Sequence, residues 1–399
     1  MIHLSNRSIN TPPSPIRRLS HLAHQAVERG IETYHLNIGQ PDLCCPPQFE
    51  EGLRLSEASY LPYAPSEGIP KFRRAWADWV NRTLGVQTKP EEYIVTMGAS
   101  EGLVFLFTAC CDPGDEIIVF DPTYANYMGF AAQSGVRLIS LLSSLKDGFV
   151  IPDDEIIEKH VTSRTRAILF CNPNNPTGVT YDVTVVERLL NLCHRFGMIL
   201  IMDETYRELV YDDVGVQTVL SLTTDDPHVV VVDSVSKRFS LCGSRIGTLF
   251  VPSEKLREKI LHLAQARLSA PTLGQKAATH MLGLLQDSFI VDVRQIYQQR
   301  RDTLLSALEK VQGVESFRPT GAFYTLAKLP VEDAEDFATY LLRDFSYEGC
   351  TLFLAPARGF YSIPGVGQDE VRLAFVLEEH KLQRAIQILE AGLEAYRTR

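Results

Sequence analysis

Residues His228–Gly247 read HVVVVDSVSKRFSLCGSRIG. Four consecutive valines, Val229 to Val232, are what a strand covered on both faces requires. The chain then delivers Ser234, Ser236, Lys237, Arg238, Ser244 and Arg245 within a dozen residues. Desolvating an ammonium at the end of an apolar strand is costly unless something compensates it. A buried strand that ends in hydroxyls and cations therefore raises the prospect of a ligand at that end.

The same kind of run recurs on either side. EYIVT (92–96), DEIIVF (115–120), VRLIS (136–140), RAILF (166–170), MILIMD (198–203) and RIGTLFV (245–251) are apolar without strict alternation. Between them lie EGLVFLFTACC, ANYMGFAAQSG and VTVVERLLNLCHRFG, each long enough for a crossover helix. Strands alternating with helices predict an α/β domain built on a mainly parallel sheet. After about residue 252 the pattern changes to long helices, EKLREKILHLAQARL through IYQQRRDTLLSALEKV. Separate strands then follow in GAFYTLAKL, TLFLAP and EVRLAFVL. The last helix carries a packing stripe of Leu382, Ile386, Leu389 and Leu393. The expectation is a large α/β domain over 46–285, and a smaller α+β domain formed by 286–399 with 1–45 packed on it. The first segment is expected to have no sheet of its own.

Composition sets bounds. At 399 residues the chain suits two domains, and 45% apolar content with 22% charge suits a large buried core. A net charge of −10 without a basic run argues against a nucleic-acid surface. No apolar run reaches the ~18 residues of a membrane span, and the N-terminal stretch has no uninterrupted apolar core. Eight cysteines without C-x-x-C spacing fit reduced thiols in a cytoplasmic protein.

In parallel sheets ligands bind beyond the carboxyl ends of the strands, so the residues that follow each strand carry the chemistry. After EYIVT, Gly98-Ala99-Ser100 opens a helix and could receive an anion, although Ser100 alone also reads as a plain cap. After RAILF, CNPNNPTGVT forms a rigid turn in which Asn175 precedes Pro176, where a cis bond is cheap. After MILIMD, Asp203 is either a helix cap or the partner of a buried cation, with Tyr206 close behind. After the valine run, Lys237 sits in a cationic, poorly solvated setting that makes an amine a usable nucleophile toward a carbonyl. Ser234 with Arg245 could hold a phosphate. A single ligand bearing a phosphate, an acid-seeking ring nitrogen and an amine-capturing carbonyl satisfies all four strand ends, and pyridoxal 5′-phosphate has those three groups.

These residues resemble the fold-type I pyridoxal-phosphate enzymes, and within them the class I/II aminotransferases similar to aspartate aminotransferase. The resemblance runs from NIGQPD near residue 37 to VRLAFV near 375. It is carried most specifically by NNPTG, by the lysine-to-arginine spacing of SVSKRFSLCGSRIG and by Arg372. It implies that Lys237 bonds the cofactor aldehyde and shuttles a proton, and that Asp203 pairs with the ring nitrogen. It further implies that Tyr206 and Asn175 bind the ring's phenolic oxygen and that Tyr124 stacks on the ring. Ala99, Ser100, Ser234 and Arg245 would bind the phosphate, and Tyr63 would reach the phosphate of a neighbouring subunit in a homodimer. Arg372 would clamp the substrate carboxylate, helped by the backbone of Gly39, with Gln40 departing from the Glu that often follows it. A guanidinium within VRLAFV suits a planar carboxylate in any case, and a structural salt bridge is the other use for it.

The implied reaction moves an amino group from an L-amino acid to a 2-oxo acid by ping-pong exchange. An aspartate-like or aromatic donor is expected, with 2-oxoglutarate as acceptor. Glu101, where some relatives place a basic residue near this loop, weakens the aspartate expectation. A carbon–sulfur lyase would use the same cofactor residues. A non-catalytic ligand-sensing domain would need a basic winged helix that the segment before Gly39 is too short to supply, and no G-x-x-x-x-G-K-[ST] loop is present.

Overall fold

The structure, a computed structural model, describes residues 2–56 and 61–399. The valine run is a strand, Val229–Ser234, buried at every position. Its side chains alternate between two hydrophobic clusters: Val229 and Val231 join one, Val230 and Val232 the other. A period of two sends neighbours to opposite faces, so a continuous apolar run is what two covered faces demand. Each such valine contributes roughly 1.5–3 kcal/mol by its burial.

In chain order, β1 is Glu32–His35. Seven strands follow: β2 (Tyr93–Thr96), β3 (Glu116–Asp121), β4 (Arg137–Leu142), β5 (Thr165–Cys171), β6 (Ile199–Asp203), β7 (Val229–Ser234) and β8 (Gly247–Phe250). They form one sheet in the order β2-β8-β7-β6-β5-β3-β4. All neighbours pair in parallel except β8, which is antiparallel to both β7 and β2. Helices Ala99–Cys110 and Glu254–Arg267 cover one face, through residues such as Leu106 and Ile260. Helices Pro70–Leu84, Val183–Phe196 and Thr272–Leu284 cover the other, through Trp76, Leu189 and Met281. The expected α/β architecture, three layers around a mostly parallel sheet, is present.

The remaining strands are β9 (Glu315–Ser316), β10 (Tyr324–Lys328), β11 (Cys350–Phe353), β12 (Ala355–Pro356) and β13 (Glu370–Ala374). Four of them make an antiparallel sheet, β12-β13-β10-β9. Helices Ala334–Asp344 and Glu379–Arg397 pack in the same cluster, the latter by its buried Leu382, Ile386, Leu389 and Leu393. The 21-residue helix Ser288–Leu308 joins the two bodies of core, with Ile290 in the large-sheet cluster and Val293 in the other.

The N-terminal segment differs from expectation. Leu19, Ala23 and Leu36 do pack in the C-terminal cluster, but β1 pairs in parallel with β11. ETYH carries no apolar run because neither of its faces is fully buried, so its strand character comes from the partner. Among the described residues, no helix is long and apolar enough to cross a membrane.

Candidate active site

The sheet order explains why distant motifs meet. β5, β6 and β7 are adjacent and parallel, so Asn175, Asp203 and Ser234–Lys237 follow strand ends along one edge. β8 runs the other way and therefore begins at that edge. Gly247 pairs with Ser234 on one side and Thr96 on the other, which sets Arg245 between the end of β7 and the start of helix Ala99–Cys110. Asn175, Asp203, Ser234, Lys237 and Arg245 line a cavity of about 590 Å³.

Two glycines shape the edge. Gly98, with φ of 77°, holds the cap position of helix Ala99–Cys110, and no side chain caps it. Ser100 is therefore inside the first turn, not the cap, and the helix start retains N–H donors facing the cavity. A Cβ on Gly98 would lie 2.4 Å from Arg245 Nη2, and one on Gly247 would lie 2.7 Å from the Ala99 nitrogen. Only glycine at both positions lets the guanidinium and the helix start approach this closely. Arg245 Nη2 donates to the Met97 carbonyl at 3.2 Å and Nη1 to that of Cys242 at 2.9 Å. The result is a concave, electropositive seat for an anion.

Asp203 ends β6 and is buried. Its Oδ2 accepts from the Tyr127 hydroxyl at 2.6 Å, and its Oδ1 from the Thr205 hydroxyl at 2.6 Å. Burial pushes its carboxyl above the usual range, opposed by those donors and by the charge of Lys237. Lys237 Nζ donates to the Gly39 carbonyl at 2.9 Å and stands 3.9 Å from Cys242 Sγ. The Tyr206 hydroxyl meets that of Tyr324 at 2.9 Å and accepts from Asn175 Nδ2 at 3.4 Å. Tyr124 is half-buried, edge-on to Tyr127, with its hydroxyl accepting from Asn126 at 2.8 Å.

Arg372, on β13, is 1% exposed and comes to the cavity from the smaller sheet. Its Nη1 donates to Asn175 Oδ1 at 3.1 Å and its Nη2 to the Asn37 carbonyl at 2.6 Å. No carboxylate pairs with it among the described residues, so the salt-bridge reading of this guanidinium is set aside. Burial lowers its pKa, the direction expected of a cation that lacks a counterion. Gly39 is required sterically: a Cβ there would fall 1.8 Å from the Tyr324 hydroxyl.

The cavity thus gathers Ala99, Ser100, Tyr124, Asn175, Asp203, Tyr206, Ser234, Lys237, Arg245, Gly39 and Arg372. Tyr63 lies outside it and is 78% exposed. Four features were not legible in sequence: Asn37 under Arg372, Tyr127 under Asp203, Tyr324 against Gly39, and the segment Ser14–Arg17 along the wall. Tyr124 precedes the cap of helix Asn126–Ser134, and Tyr127 follows it across a turn closed by the Tyr127 N–H donating to the Tyr124 carbonyl at 2.9 Å, so no helical spacing marked Tyr127 in advance. Among the described residues the cis peptide bonds are Asp121–Pro122 and Asn172–Pro173, and Asn175–Pro176 is trans.

Arg238 corrects the impression of three cooperating cations. It turns away from the cavity into a buried cluster, donating to Asp233 and pairing with Glu208 at 2.8 Å. Arg207 completes the cluster through Asp233 at 3.0 Å and Glu204 at 3.1 Å, and Trp79 lies under both guanidinium groups. Burial pushes the Asp233 carboxyl upward, opposed by both arginines. These charges tie the turn that follows Asp203 at the end of β6 to the turn after β7 that carries Lys237.

Residues 32–389 match the family described as aminotransferase class I and II. The chain is 31% identical over 388 residues to the aspartate/prephenate aminotransferase of Thermus thermophilus, covering 96% of this chain and 97% of that protein. A solved structure of aspartate aminotransferase from Thermus thermophilus with maleate superposes with a TM-score of 0.89 at 30% identity, covering 98% of this chain and 100% of that one. An alanine aminotransferase from Pyrococcus furiosus gives the same TM-score at 29% identity, with the same coverage of both chains. The sheet order, the cavity and these likenesses agree: the chain belongs to the class I and II aminotransferases and is an enzyme of the transaminase class.

Proposed function

We propose that the cavity binds pyridoxal 5′-phosphate and that the enzyme moves the α-amino group of an aspartate-like L-amino acid to a 2-oxo acid. The observation that carries this reading is the convergence of Lys237, Asp203, Arg245 and Arg372 on one cavity. The residues present fit the cofactor. The glycine-lined seat formed by Arg245, Ser234 and the helix start at Ala99 and Ser100 suits a phosphate. A buried carboxylate pushed toward protonation, Asp203, gains from a cationic ring nitrogen beside it. Arg372, whose Nε has no partner, has donors to spare for a carboxylate.

Bound there, the cofactor supplies an aldehyde for an amine and a ring that accepts the charge left when Cα loses its proton. Asp203, its two oxygens fixed by Tyr127 and Thr205, would hold a proton on the ring nitrogen. Tyr206 and Asn175 would offer hydrogen bonds to the ring's phenolic oxygen, and Tyr124 would lie against the ring. Arg372 and the Gly39 backbone orient the substrate carboxylate, which places Cα within reach of the Lys237 amine. The Lys237 amine, once released from the aldehyde, would take the proton from Cα and deliver it to the aldehyde-derived carbon on the far side of the substrate nitrogen. Elimination of the carbon–sulfur type uses the same cofactor residues, and the names of the relatives favour transfer.

The reading extends to a homodimer in which Tyr63 reaches the partner's phosphate. Its exposure together with that of Leu61 supports a surface built for a second copy, as does exposed Leu268, whose neighbour Arg267 donates to the Ser66 carbonyl at 3.3 Å. It also includes a cofactor-bearing unit over 46–285 with a smaller unit of 1–45 and 286–399. Eight unpaired cysteines support a cytoplasmic setting.

Borohydride reduction of the purified enzyme followed by peptide mapping should label Lys237. L-aspartate added without a 2-oxo acid should convert the bound cofactor stoichiometrically to its amine form. Continuous release of pyruvate and ammonia from a β-substituted amino acid would replace transfer by elimination, and a label elsewhere would overturn the site.

A further inference from the structure

We propose that Arg17, on the N-terminal segment, receives the second acidic group of the substrate and makes this enzyme selective for dicarboxylic amino acids and 2-oxo diacids. This rests on the reading above and goes beyond it by naming the residue that chooses the donor.

Charge balance motivates it. Four cations line the cavity, Arg17, Lys237, Arg245 and Arg372, against a single carboxylate, Asp203. The cofactor phosphate is assigned to Arg245 and the substrate α-carboxylate to Arg372. Lys237 is committed to the reacting carbon. Asp203 is committed to the ring nitrogen. Arg17 is then the cation without an assigned counterion. Its guanidinium has no ion pair or hydrogen bond among the described residues, whereas the next residue, Arg18, is engaged with Glu335.

The position of Arg17 is set by structure on both sides. The Arg17 nitrogen donates to the Ser14 carbonyl at 3.2 Å, closing a turn, and Leu19 is buried in the C-terminal cluster. Pro15 packs so closely on Gly359 that a Cβ there would lie 2.2 Å from it. The Ile16 carbonyl accepts from Asn37 Nδ2 at 3.0 Å, while the Asn37 carbonyl accepts from Arg372 at 2.6 Å. One buried asparagine therefore links the arginine that holds the α-carboxylate to the segment that presents Arg17. Two cations held in register by a shared residue can measure the separation of two carboxylates. A planar guanidinium pairs with such a group bidentately, and a monocarboxylic substrate would leave it unmatched.

The test compares wild type with R17M and R17K, all as holoenzyme. Single-turnover rates are read from the cofactor absorbance with L-aspartate, L-glutamate, L-alanine and L-phenylalanine. The ratio of dicarboxylic to L-alanine efficiency should fall at least tenfold in R17M, mainly through KM, and R17K should recover part of it. Calorimetry with maleate and with crotonate, unreactive di- and monocarboxylates, gives a second readout. The maleate-to-crotonate affinity ratio should fall at least tenfold in R17M. Equal effects on all four amino acids, or an unchanged affinity ratio, would overturn the proposal. A wild-type enzyme that converts its cofactor with none of the amino acids would instead overturn the reading of the site itself.

Discussion

Arg372 donates from Nη1 to Oδ1 of Asn175 at 3.1 Å, although Arg372 stands on the smaller sheet, Asn175 on the loop after β5 of the larger one, and the two are 197 positions apart in the chain. The same asparagine donates from Nδ2 to the Tyr206 hydroxyl at 3.4 Å. One amide thus spans the group assigned to the substrate carboxylate and the group assigned to the cofactor ring. An amide is the side chain that can do this, because it accepts on one atom and donates on the other. Domain motion that displaces Arg372 would pull on the ring site through it.

Asn175→Ala should lower kcat/KM by roughly 10- to 100-fold for every amino acid tested, since a buried charged group loses a partner worth about 1.5–3 kcal/mol. Arg372→Lys should lose a comparable factor mostly in KM, because an ammonium cannot reproduce the bidentate fork. Steady-state kinetics with two unrelated donors separates both from a specificity change.

Gly98→Ala should weaken cofactor binding about tenfold or more while leaving the far-ultraviolet circular dichroism unchanged. The added methyl meets Arg245 and strains a left-handed backbone, and it leaves the strands beneath untouched. Titration of the apoenzyme by fluorescence measures the loss. The apoenzyme should also melt below the holoenzyme, by mass action of a ligand bound to the native state alone.

Tyr127→Phe removes the donor on Asp203 Oδ2 and leaves a buried carboxylate with less to hold it ionised. The expected result is a roughly 5- to 30-fold drop in kcat, from about 1–2 kcal/mol of lost hydrogen bonding. KM should change much less, which rapid-quench and steady-state measurements together would show.

Arg238→Met should destabilise the protein by about 3–5 kcal/mol, because it leaves Asp233 and Glu208 buried with one arginine between them. Adding Asp233→Asn should restore part of that loss. Chemical denaturation of the single and double variants at fixed protein concentration reads both effects.

Asp121 ends β3 with Oδ2 accepting from the Ser362 N–H at 2.6 Å, and burial pushes its carboxyl up to about 6. The folded protein holds this proton more tightly than the unfolded chain does. Its contribution to stability is therefore full below the unfolded value of 3.8 and lost as pH rises through about 6. Between pH 5 and 7 the wild type should lose roughly 1 kcal/mol relative to Asp121→Asn, measured by urea titration at each pH.

Seven apolar runs, including the four valines, announced seven strands of the large sheet, because a strand covered on both faces must be apolar at consecutive positions. The residues after β2, β5, β6 and β7 announced the chemistry, because a strand end is a local feature and the residue types there are visible in one dimension. Antiparallel β8 is different. Its run was legible, but that Arg245 stands at the ligand edge follows from strand order, which depends on pairing between segments far apart. The same holds for Asn37, Tyr127, Tyr324 and Arg17, whose neighbours arrive from other elements. Arg238 carries the lesson most sharply: it is adjacent to Lys237 in sequence, yet points into a buried cluster of carboxylates supplied by the turn after β6 and by β7 itself. Sequence determined which groups were available and on which strands they would ride. Packing alone decided which of them would face one another, since each contact is set by the three-dimensional path of the whole chain.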